Sequence, residues 1–372
     1  MHNQRPILCI IPPHMLREIS ERGTDLQQEK ARATMAVSSQ IRIQRTSAAL
    51  TVHMGAAGTP DKHRNIYDAK QGSQLPGTLV RKEGDPPSAD LAVNEAYDGS
   101  GATYDLFKEI YGRNSIDGNG MSLDSTVHYQ KGYDNAFWNG QQMVYGDGDE
   151  DLPPSQRLFN RFTAALDVIA HELTHGVTQF EANLAYSFQS GALNESMSDV
   201  FGSLVKQRLR SQTAAEADWI IGEGLFTANV NGVGIRSMKA PGTAYNDPIL
   251  GKDPQPAHMR DYVNTIEDSG GVHINSGIPN HAFYIASIEL GGFAWEKAGM
   301  IWYKTLADKF NQNSSFQDAA NLTVETAREL FGSGSIEEKA VIKGWQEVGI
   351  IVGAPAGDGC LTAMMRAIGL AK

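Results

Sequence analysis

Residues 162–180, FTAALDVIAHELTHGVTQF, combine a helical apolar pattern with two histidines, and they constrain the fold more than any other segment. Apolar side chains that recur every three or four residues form one narrow stripe on a helix. Those side chains are Phe162, Leu166, Ile169, Leu173, Val177 and Phe180. His171 and His175 lie about 160° away from that stripe. Because imidazoles one turn apart can bind one zinc ion, the segment predicts a helix with a core face and a metal-binding face.

The segment GALNESMSD, residues 191–199, supplies a third zinc ligand. Catalytic zinc sites use three protein ligands and leave one position for water. Glu195 and Asp199 are four residues apart on one predicted helix face, where like charges repel unless a cation lies nearby. We assign Glu195 to the metal and Asp199 to the outer N–H of a zinc-bound histidine. Glu172 points about 100° away from the face that the histidines share and suits a general base on the water.

The 372 residues are expected to form two lobes, because single cores stop growing at roughly 250 to 300 residues. Residues 53–100 are rich in Gly, Pro and Asp, which indicates loops and strands. From about residue 160 onward helical spacing dominates. These patterns predict an α+β fold. Its expected parts are an N-terminal segment (1–50), a β-rich lobe with the histidine helix (51–180), a helical lobe (181–352) and a tail (353–372).

Several segments together resemble the thermolysin family of zinc metalloendopeptidases, whose pattern is HExxH followed by the glutamate of GAxNExxSD. The resemblance runs from IYDAK at 66 to GWQEVGI at 344 and includes VHYQKGYDNAFWNGQQMVYGDGD and GGVHINSGIPNHAFY. It implies a two-lobed, thermolysin-like metalloprotease with one Zn²⁺ in the cleft between the lobes. It also implies peptide or protein substrates and Glu172 as the general base.

The resemblance assigns further roles around the metal. It implies that Tyr186 and His273 donate hydrogen bonds to the scissile carbonyl oxygen as that oxygen gains charge, and that Asp268 orients His273. Such a donor is typically worth ~3 kcal/mol in the transition state. Asn135 and Ala136, in NAFW, are implied to bind the substrate backbone along the edge strand of the N-terminal lobe.

A specificity pocket is implied by the same resemblance. Arg236, in GIRSM, would hold a substrate carbonyl beside a pocket for the residue that follows the scissile bond. Phe159, Val168 and Ile235 would line that pocket. Because all three are apolar, large hydrophobic residues are the expected preference at that substrate position.

Residues 1–50, the N-terminal segment, carry a net charge of +3 against −14 for the remainder, which favours docking of the segment on the rest of the chain. Two short helices are predicted, the first ending at Gly23 and the second beginning with a capping box of Thr24 and Gln27. IPPHMLREI resembles the protealysin branch of the family, whose members carry a short propeptide with a Pro-Pro-hydrophobic motif. We therefore expect an inhibitory, folding-assisting propeptide bound in cis.

Self-cleavage is expected between Arg45 and Arg64, in a stretch rich in Gly, Ala and Pro. Cys9 lies in the apolar run ILCII, where a buried small hydrophobe is favoured over a thiolate that plugs the zinc site. Cys360 is the only other cysteine, so no disulfide framework is expected.

Calcium binding departs from the family pattern. The double calcium site of the family uses carboxylates, and the resemblance places Asp167, Asp218 and Glu223 at three of these positions. Lys206 and Ile220 occupy two others. Because an ammonium can neutralise the cluster in place of an ion, we expect one zinc and at most a residual Ca²⁺ site at the three acids.

Two charged runs are interpreted as structural. GDGDEDL, residues 146–152, begins like an EF-hand loop but has Leu152 at the glycine position, which predicts a turn. KQRLR, residues 206–210, predicts a solvated helix face. With a net charge of −11 and no long basic run, nucleic acid and anionic membranes are not expected partners.

Other functions fit parts of the pattern. A zinc-binding regulatory protein of the same fold would have lost turnover, but Glu172, Tyr186 and His273 are all intact. An exopeptidase would need an amine-anchoring motif such as G-x-M-x-N, which the chain lacks. The motifs G-x-S-x-G and G-x-G-x-x-G, and a P-loop, do not occur either, which disfavours serine hydrolases and nucleotide enzymes.

Two alternatives remain open for the cellular location of the protein. No run of 18 apolar residues predicts a transmembrane helix. The apolar run near the N-terminus stops at Pro12, too short for a signal peptide. The resemblance favours secretion, whereas the missing leader leaves export without a signal peptide, or retention in the cytoplasm, open. A monomer is expected.

Overall fold

The computed structural model describes residues 8–48 and 61–353. Residues 49–60, within the expected cleavage stretch, lie outside the described residues, as do Cys360 and the tail from 354 onward. The chain divides into two compact units. The first unit comprises Met1–Val177, Gly222–Ile235 and Tyr245–Lys252, and the second unit comprises Thr178–Ile221, Arg236–Ala244 and Asp253–Lys372.

A six-stranded mixed sheet runs through the first unit in the order β1-β5-β6-β4-β2-β3. Its strands are β1 (Leu8–Cys9), β2 (Arg64–Asp68), β3 (Thr78–Lys82), β4 (Leu123–Val127), β5 (Ala136–Trp138) and β6 (Met143–Tyr145). The β2–β4 and β4–β6 pairs are parallel, and the other three pairs are antiparallel. All three side chains of β5 and all three of β6 are buried, which indicates a sheet covered on both faces.

Within the described part of the first unit, four α-helices begin: α1 (Pro13–Arg22), α2 (Asp25–Ala48), α3 (Leu91–Asp105) and α4 (Leu166–Phe180). The predicted end of the first helix at Gly23 is confirmed. The predicted capping box is confirmed as well, because the Thr24 N–H donates to Gln27 Oε1 at 2.7 Å and the Gln27 N–H to Thr24 Oγ1 at 3.5 Å. The second helix was expected to be short, and that is wrong, since α2 has 24 residues.

Helix α3 was not anticipated, because residues 53–100 were expected to hold loops and strands. The signal that could have identified it is Asp90, whose carboxylate accepts hydrogen bonds from the Ala92 and Val93 N–H groups and caps the helix. The glycines of the helix lower its intrinsic propensity and hid it from the pattern analysis. Gly99 is needed by the packing, since a Cβ there would lie 2.5 Å from Ile169 Cδ1 of α4.

The second unit is mainly helical. Its helices are α5 (Phe188–Leu209), α6 (Asp268–Asn275), α7 (Gly277–Leu290), α8 (Lys297–Asp308), α9 (Phe316–Phe331) and α10 (Ile336–Glu347). Trp302 of α8 stacks on Trp345 of α10, and the Trp345 indole donates to Thr323 Oγ1 of α9 at 2.8 Å. Two small hairpins remain, β7 (Ile220–Ile221) with β8 (Arg236–Ser237) in the second unit and β9 (Asn246–Asp247) with β10 (Gly251–Lys252) in the first.

Among the described residues, none of the helices has both the length and the apolar character needed to span a bilayer.

His128 connects two segments of the first unit through its two ring nitrogens. His128 Nδ1 lies 2.8 Å from Asp147 Oδ1 and its Nε2 lies 2.8 Å from Asp90 Oδ2. Hydrogen bonding to Asp147, together with the charge of both carboxylates, raises the pKa of His128 from its usual 6.5 to about 9. The stabilisation is therefore complete below the unfolded-state pKa and is lost as the pH rises through about 9.

We expect His128→Asn to lower the free energy of unfolding by about 2 kcal/mol at neutral pH. Asparagine tolerates the left-handed backbone of this residue, whose φ is 54°, so the change removes the charge without adding strain. Denaturant unfolding should show less than half of that loss at about pH 10, where the parent histidine is neutral. An equal loss at both pH values would contradict the ion-pair explanation.

Candidate active site

The histidine helix α4 brings together three groups that could hold or serve a metal. The side chains of His171, Glu172 and His175 are fully buried, and one potential ligand atom from each lies within 4.8 Å of the others. The two imidazole rings are 4.6 Å apart between centroids and nearly perpendicular. Two imidazoles one helical turn apart are donors that Zn²⁺ accepts in a protein site, so His171 and His175 fit the expected metal.

Two close contacts set the position of α4. One is the Gly99 contact with Ile169 described above. The other is at Gly176, where a Cβ would lie 3.1 Å from the Trp138 ring, so the helix approaches β5 closely. From β5, the Trp138 N–H donates to Glu172 Oε2 at 3.0 Å. This bond fixes the carboxylate beside the imidazoles, and the sequence pattern did not predict it.

The predicted apolar stripe of this helix is confirmed only at its central positions. Ile169, Leu173 and Val177 are buried as predicted. Phe162 is buried too, but it lies in a separate 3₁₀ turn, Phe162–Ala164, before α4 begins. Phe180 is 43% exposed at the end of the helix.

In the second unit, three side chains form a group with Glu195 of α5. The Tyr186 hydroxyl donates to Glu195 Oε1 and lies 3.1 Å from His273 Nε2. His273 Nε2 is also 3.5 Å from Glu195 Oε2. His273 Nδ1 lies 2.6 Å from Asp268 Oδ1. The predicted partners Tyr186, His273 and Asp268 are thus brought together with Glu195 in one buried group.

The local backbone explains how Asp268 reaches His273. The residues Ser269, Gly270 and Gly271 have φ values of 54°, 93° and 74°, so the chain turns sharply between the two side chains. Glycine is required at 270, where a Cβ would lie 2.6 Å from the Phe188 ring. As a result, the Asp268 carboxylate contacts His273 twice. Its Oδ1 is hydrogen-bonded to the ring Nδ1, and its Oδ2 accepts a hydrogen bond from the backbone N–H at 2.9 Å.

Although burial opposes a charged imidazole, the carboxylates of Asp268 and Glu195 raise the pKa of His273 to about 9. The ring is therefore a hydrogen-bond donor at both nitrogens near neutral pH.

Arg236 and Asp199 form a buried, bidentate ion pair in the second unit. Arg236 Nε and Nη2 donate to the two oxygens of Asp199 at 2.8 and 2.7 Å. Asn280 of α7 also donates to Asp199 Oδ2, at 2.8 Å. Both charged side chains are almost fully buried, at 1% and 0% exposure. The sequence analysis gave these residues separate roles and did not predict their pairing or the part of Asn280.

The expected substrate strand is β5, and the N-terminal segment covers it. Strand β1 pairs with β5 in antiparallel fashion, with Cys9 opposite Phe137. The Ile10 N–H donates to the Ala136 carbonyl at 3.3 Å. The Ile11 N–H donates to Asn135 Oδ1 at 3.0 Å. The two residues expected to bind substrate backbone therefore bind the chain's own N-terminal segment.

Apolar side chains in the first part of that segment are buried in the first unit. Ile10, Ile11, Met15, Leu16 and Ile19 have little or no exposed surface. The Cys9 thiol lies in a cluster with Tyr129, Tyr133, Phe137 and Val144. This environment agrees with a small buried hydrophobe at Cys9.

The three residues expected to line the specificity pocket, Phe159, Val168 and Ile235, all belong to the first unit and are all buried. Phe159 packs against the rings of Phe162 and Phe226. Gly222 has φ 77° and a Cβ there would lie 2.8 Å from Ile235 Cγ1, so this glycine allows a tight turn against the Ile235 side chain.

At the positions expected for calcium, Lys206 is buried rather than solvated, which corrects the prediction for the KQRLR run. Its ammonium donates to Asp218 Oδ1 at 2.9 Å and to the Ile220 carbonyl at 2.6 Å, within the second unit. In the first unit, Asp167 Oδ1 accepts the Gly222 N–H at 3.1 Å, and Glu223 is half-buried. The residual calcium site stays a prediction.

Comparison with known proteins shows similarity along nearly the whole chain. Residues 30–179 match a family model described as "Thermolysin metallopeptidase, catalytic domain", and residues 182–350 match "Thermolysin metallopeptidase, alpha-helical domain". An "Extracellular metalloprotease" of Pectobacterium carotovorum subsp. carotovorum is 52% identical over 94% of this chain and 98% of the relative. "Protease PrtS" of Photorhabdus sp. (strain Az29) is 50% identical over 92% of each.

A solved structure agrees with these matches. The precursor of protealysin, a metalloproteinase from Serratia proteamaculans, superposes with a TM-score of 0.83 at 52% identity. The match covers 92% of this chain and 99% of that structure.

We expect Asp199→Asn to lower the free energy of unfolding by about 3 kcal/mol, because it leaves the Arg236 guanidinium buried without its carboxylate. Urea denaturation measures the loss. In the matched control, Asp199→Leu combined with Arg236→Met removes both charges and should cost less than the single change. A double variant that is less stable than the single one would show that the charge pair itself contributes the stability.

Proposed function

Because the chain belongs to the thermolysin family of metallopeptidases, we propose that it is a zinc endopeptidase made as a precursor, with residues 1–50 as its propeptide. The observation that carries the precursor proposal is the pairing of β1 with β5, which the bonds of Ile10 and Ile11 extend to Ala136 and Asn135. A peptide substrate that adds to the same strand would need the same backbone groups. Substrate and propeptide would therefore exclude each other.

We propose His171, His175 and Glu195 as the ligands of one zinc ion. A zinc ion held there would lower the pKa of a bound water and polarise the scissile carbonyl. Glu172 would take the proton from the attacking water and deliver it to the amine that leaves as the C–N bond breaks. The Trp138 N–H holds one oxygen of Glu172, which orients the carboxylate for that transfer.

Tyr186 and His273 would stabilise the negative charge that develops on the carbonyl oxygen. Their donor atoms, the phenol oxygen and Nε2, lie 3.1 Å apart, so both could donate hydrogen bonds to the same carbonyl oxygen. Asp268 orients the imidazole through its contact with Nδ1, and its charge favours the doubly protonated ring, in which Nε2 is a donor. Arg236, anchored by Asp199, would bind a substrate carbonyl.

Three further proposals concern the substrate preference, the place of action and the docking of the propeptide. The apolar residues Phe159, Val168 and Ile235 would select a large hydrophobic side chain after the scissile bond. The relatives named extracellular metalloproteases support action outside the cell. The charge difference between the N-terminal segment and the remainder supports a propeptide that stays docked in cis until self-cleavage.

We expect Glu172→Gln to retain zinc and fold but to lower kcat/KM for a quenched fluorescent peptide by about 10²- to 10⁴-fold, since it removes only the proton acceptor. The same protein should keep its full N-terminus in intact-mass measurements, while the parent loses the propeptide. Adding a trace of active parent separates cleavage in trans from cleavage in cis.

Glu195→Gln is the matched control, because it removes a proposed ligand and should lower both the zinc content and the activity. Activity of Glu172→Gln close to that of the parent would exclude Glu172 as the base. Full zinc affinity in Glu195→Gln would exclude Glu195 as a ligand. An unprocessed N-terminus in a fully active parent would exclude the propeptide.

A peptide library should show a preference of about tenfold or more for Phe, Leu or Ile over Asp and Lys after the scissile bond. Val168→Ala should shift that preference toward larger side chains. Ile169→Ala, the adjacent buried position that packs on Gly99, should destabilise the fold similarly and leave the preference unchanged. An unchanged preference in Val168→Ala would remove Val168 from the pocket.

A further inference from the structure

A lysine of the N-terminal segment is buried among oxygen atoms of the first unit. Lys30 Nζ lies 2.8 Å from Asp149 Oδ1, 2.8 Å from Asp151 Oδ1 and 2.9 Å from the Gly148 carbonyl. Asp134 Oδ1 lies 3.4 Å from the same nitrogen. We call these four residues, Asp134, Gly148, Asp149 and Asp151, the oxygen cluster. All four lie beyond the expected cleavage stretch and would remain after the propeptide has left.

The oxygen cluster has more negative charge than Lys30 can neutralise. Three carboxylates face one ammonium. Asp134 is buried, and among the described residues its Oδ1 accepts no hydrogen bond. Burial and the nearby charge of Asp149 raise the pKa of Asp134 well above its usual range. Without Lys30, Asp149 and Asp151 would keep two negative charges close together, and Asp134 would add a third on losing its proton, an arrangement that a bound cation stabilises.

Two members of the oxygen cluster, Asp149 and Gly148, are held in place by residues outside the N-terminal segment. Asp149 Oδ2 accepts the Leu158 and Phe159 N–H groups at 2.8 and 3.0 Å, which directs Oδ1 toward the ammonium. Gly148 has φ 62°, and a Cβ there would lie 2.3 Å from the Asn160 carbonyl, so its backbone is tightly packed. The Asp149 carboxylate and the Gly148 carbonyl are therefore positioned for a cation whether or not Lys30 is present.

We infer that, once the propeptide has left, the oxygen cluster binds a calcium ion in the place of the Lys30 ammonium. The donors are carboxylate and carbonyl oxygens, which suit a hard divalent cation. Waters would complete the six to eight ligands that calcium takes. The inference rests on the proposed removal of the propeptide, and it gives the acidic run at 146–152 a function that its sequence pattern left unassigned.

The inference implies competition in the precursor, because Lys30 and calcium need the same oxygens. Calcium that occupies the cluster disfavours rebinding of the propeptide by linkage. The bonds between Asp149 and Phe159 would also tie the ion to one wall of the proposed specificity pocket.

The test uses the full, zinc-loaded chain with Glu172→Gln, so that no processing occurs. Lys30→Ala in this background should bind one more calcium ion than the Lys30 protein, measured by isothermal titration with CaCl₂. Adding Asp151→Asn, at the most exposed carboxylate of the cluster, should weaken that extra site by about tenfold or more. Equal calcium stoichiometry with and without Lys30 would overturn the inference.

If Lys30→Ala is unfolded without calcium, thermal unfolding provides the measurement. Millimolar CaCl₂ should restore a cooperative transition, while MgCl₂ at the same concentration should do so less well. Failure of both cations to restore folding, together with no extra calcium in the processed parent protein, would overturn the inference. Because these readouts count bound calcium, they are independent of peptidase activity and of whether the chain processes itself.

Discussion

The short strand β5 is the element on which the described first unit most depends. Its Trp138 N–H orients Glu172, and the Trp138 ring packs where Gly176 lets α4 approach. At its other end, Ala136 and the preceding Asn135 bind the N-terminal segment. The group assigned to proton transfer and the backbone assigned to substrate are thus fixed by one run of four residues. A shift of this strand would move both together.

Much of the fold and of the site could be predicted from local patterns. Helix α4 is recognisable because its apolar spacing and its two histidines follow the same helical period, and the capping box at Thr24 depends on residues three apart. Helix α3 was missed because its glycines lower its helix propensity, although Gly99 is needed for packing against Ile169 and Gly101 for packing against Arg64. Hydrophobic periodicity indicates that a segment is helical, but it does not identify the elements that the helix packs against.

The other features that the sequence did not predict are ion pairs between residues far apart in the chain. Arg236 and Asp199 are 37 residues apart in sequence, and Lys30 and Asp151 are 121 apart. No local pattern predicts such pairs, since each depends on the tertiary fold. Lys206 and Lys30 nevertheless follow one rule, because each places an ammonium on aspartate and carbonyl oxygens. Lys206 belongs to the body of the peptidase, whereas Lys30 belongs to the part proposed to leave.

The position of β1 also has a consequence for the behaviour of the newly made chain. Without β1, the outermost strand on that side of the described sheet would be β5, whose side chains are all apolar and buried. Sheet edges are usually protected from pairing with other molecules by proline, charged side chains or bulges. A strand that must accept peptide substrates cannot carry such protection without losing its function. Covering it with the chain's own N-terminus would keep one molecule from extending the sheet of another, so the precursor would be the form that resists aggregation at high concentration.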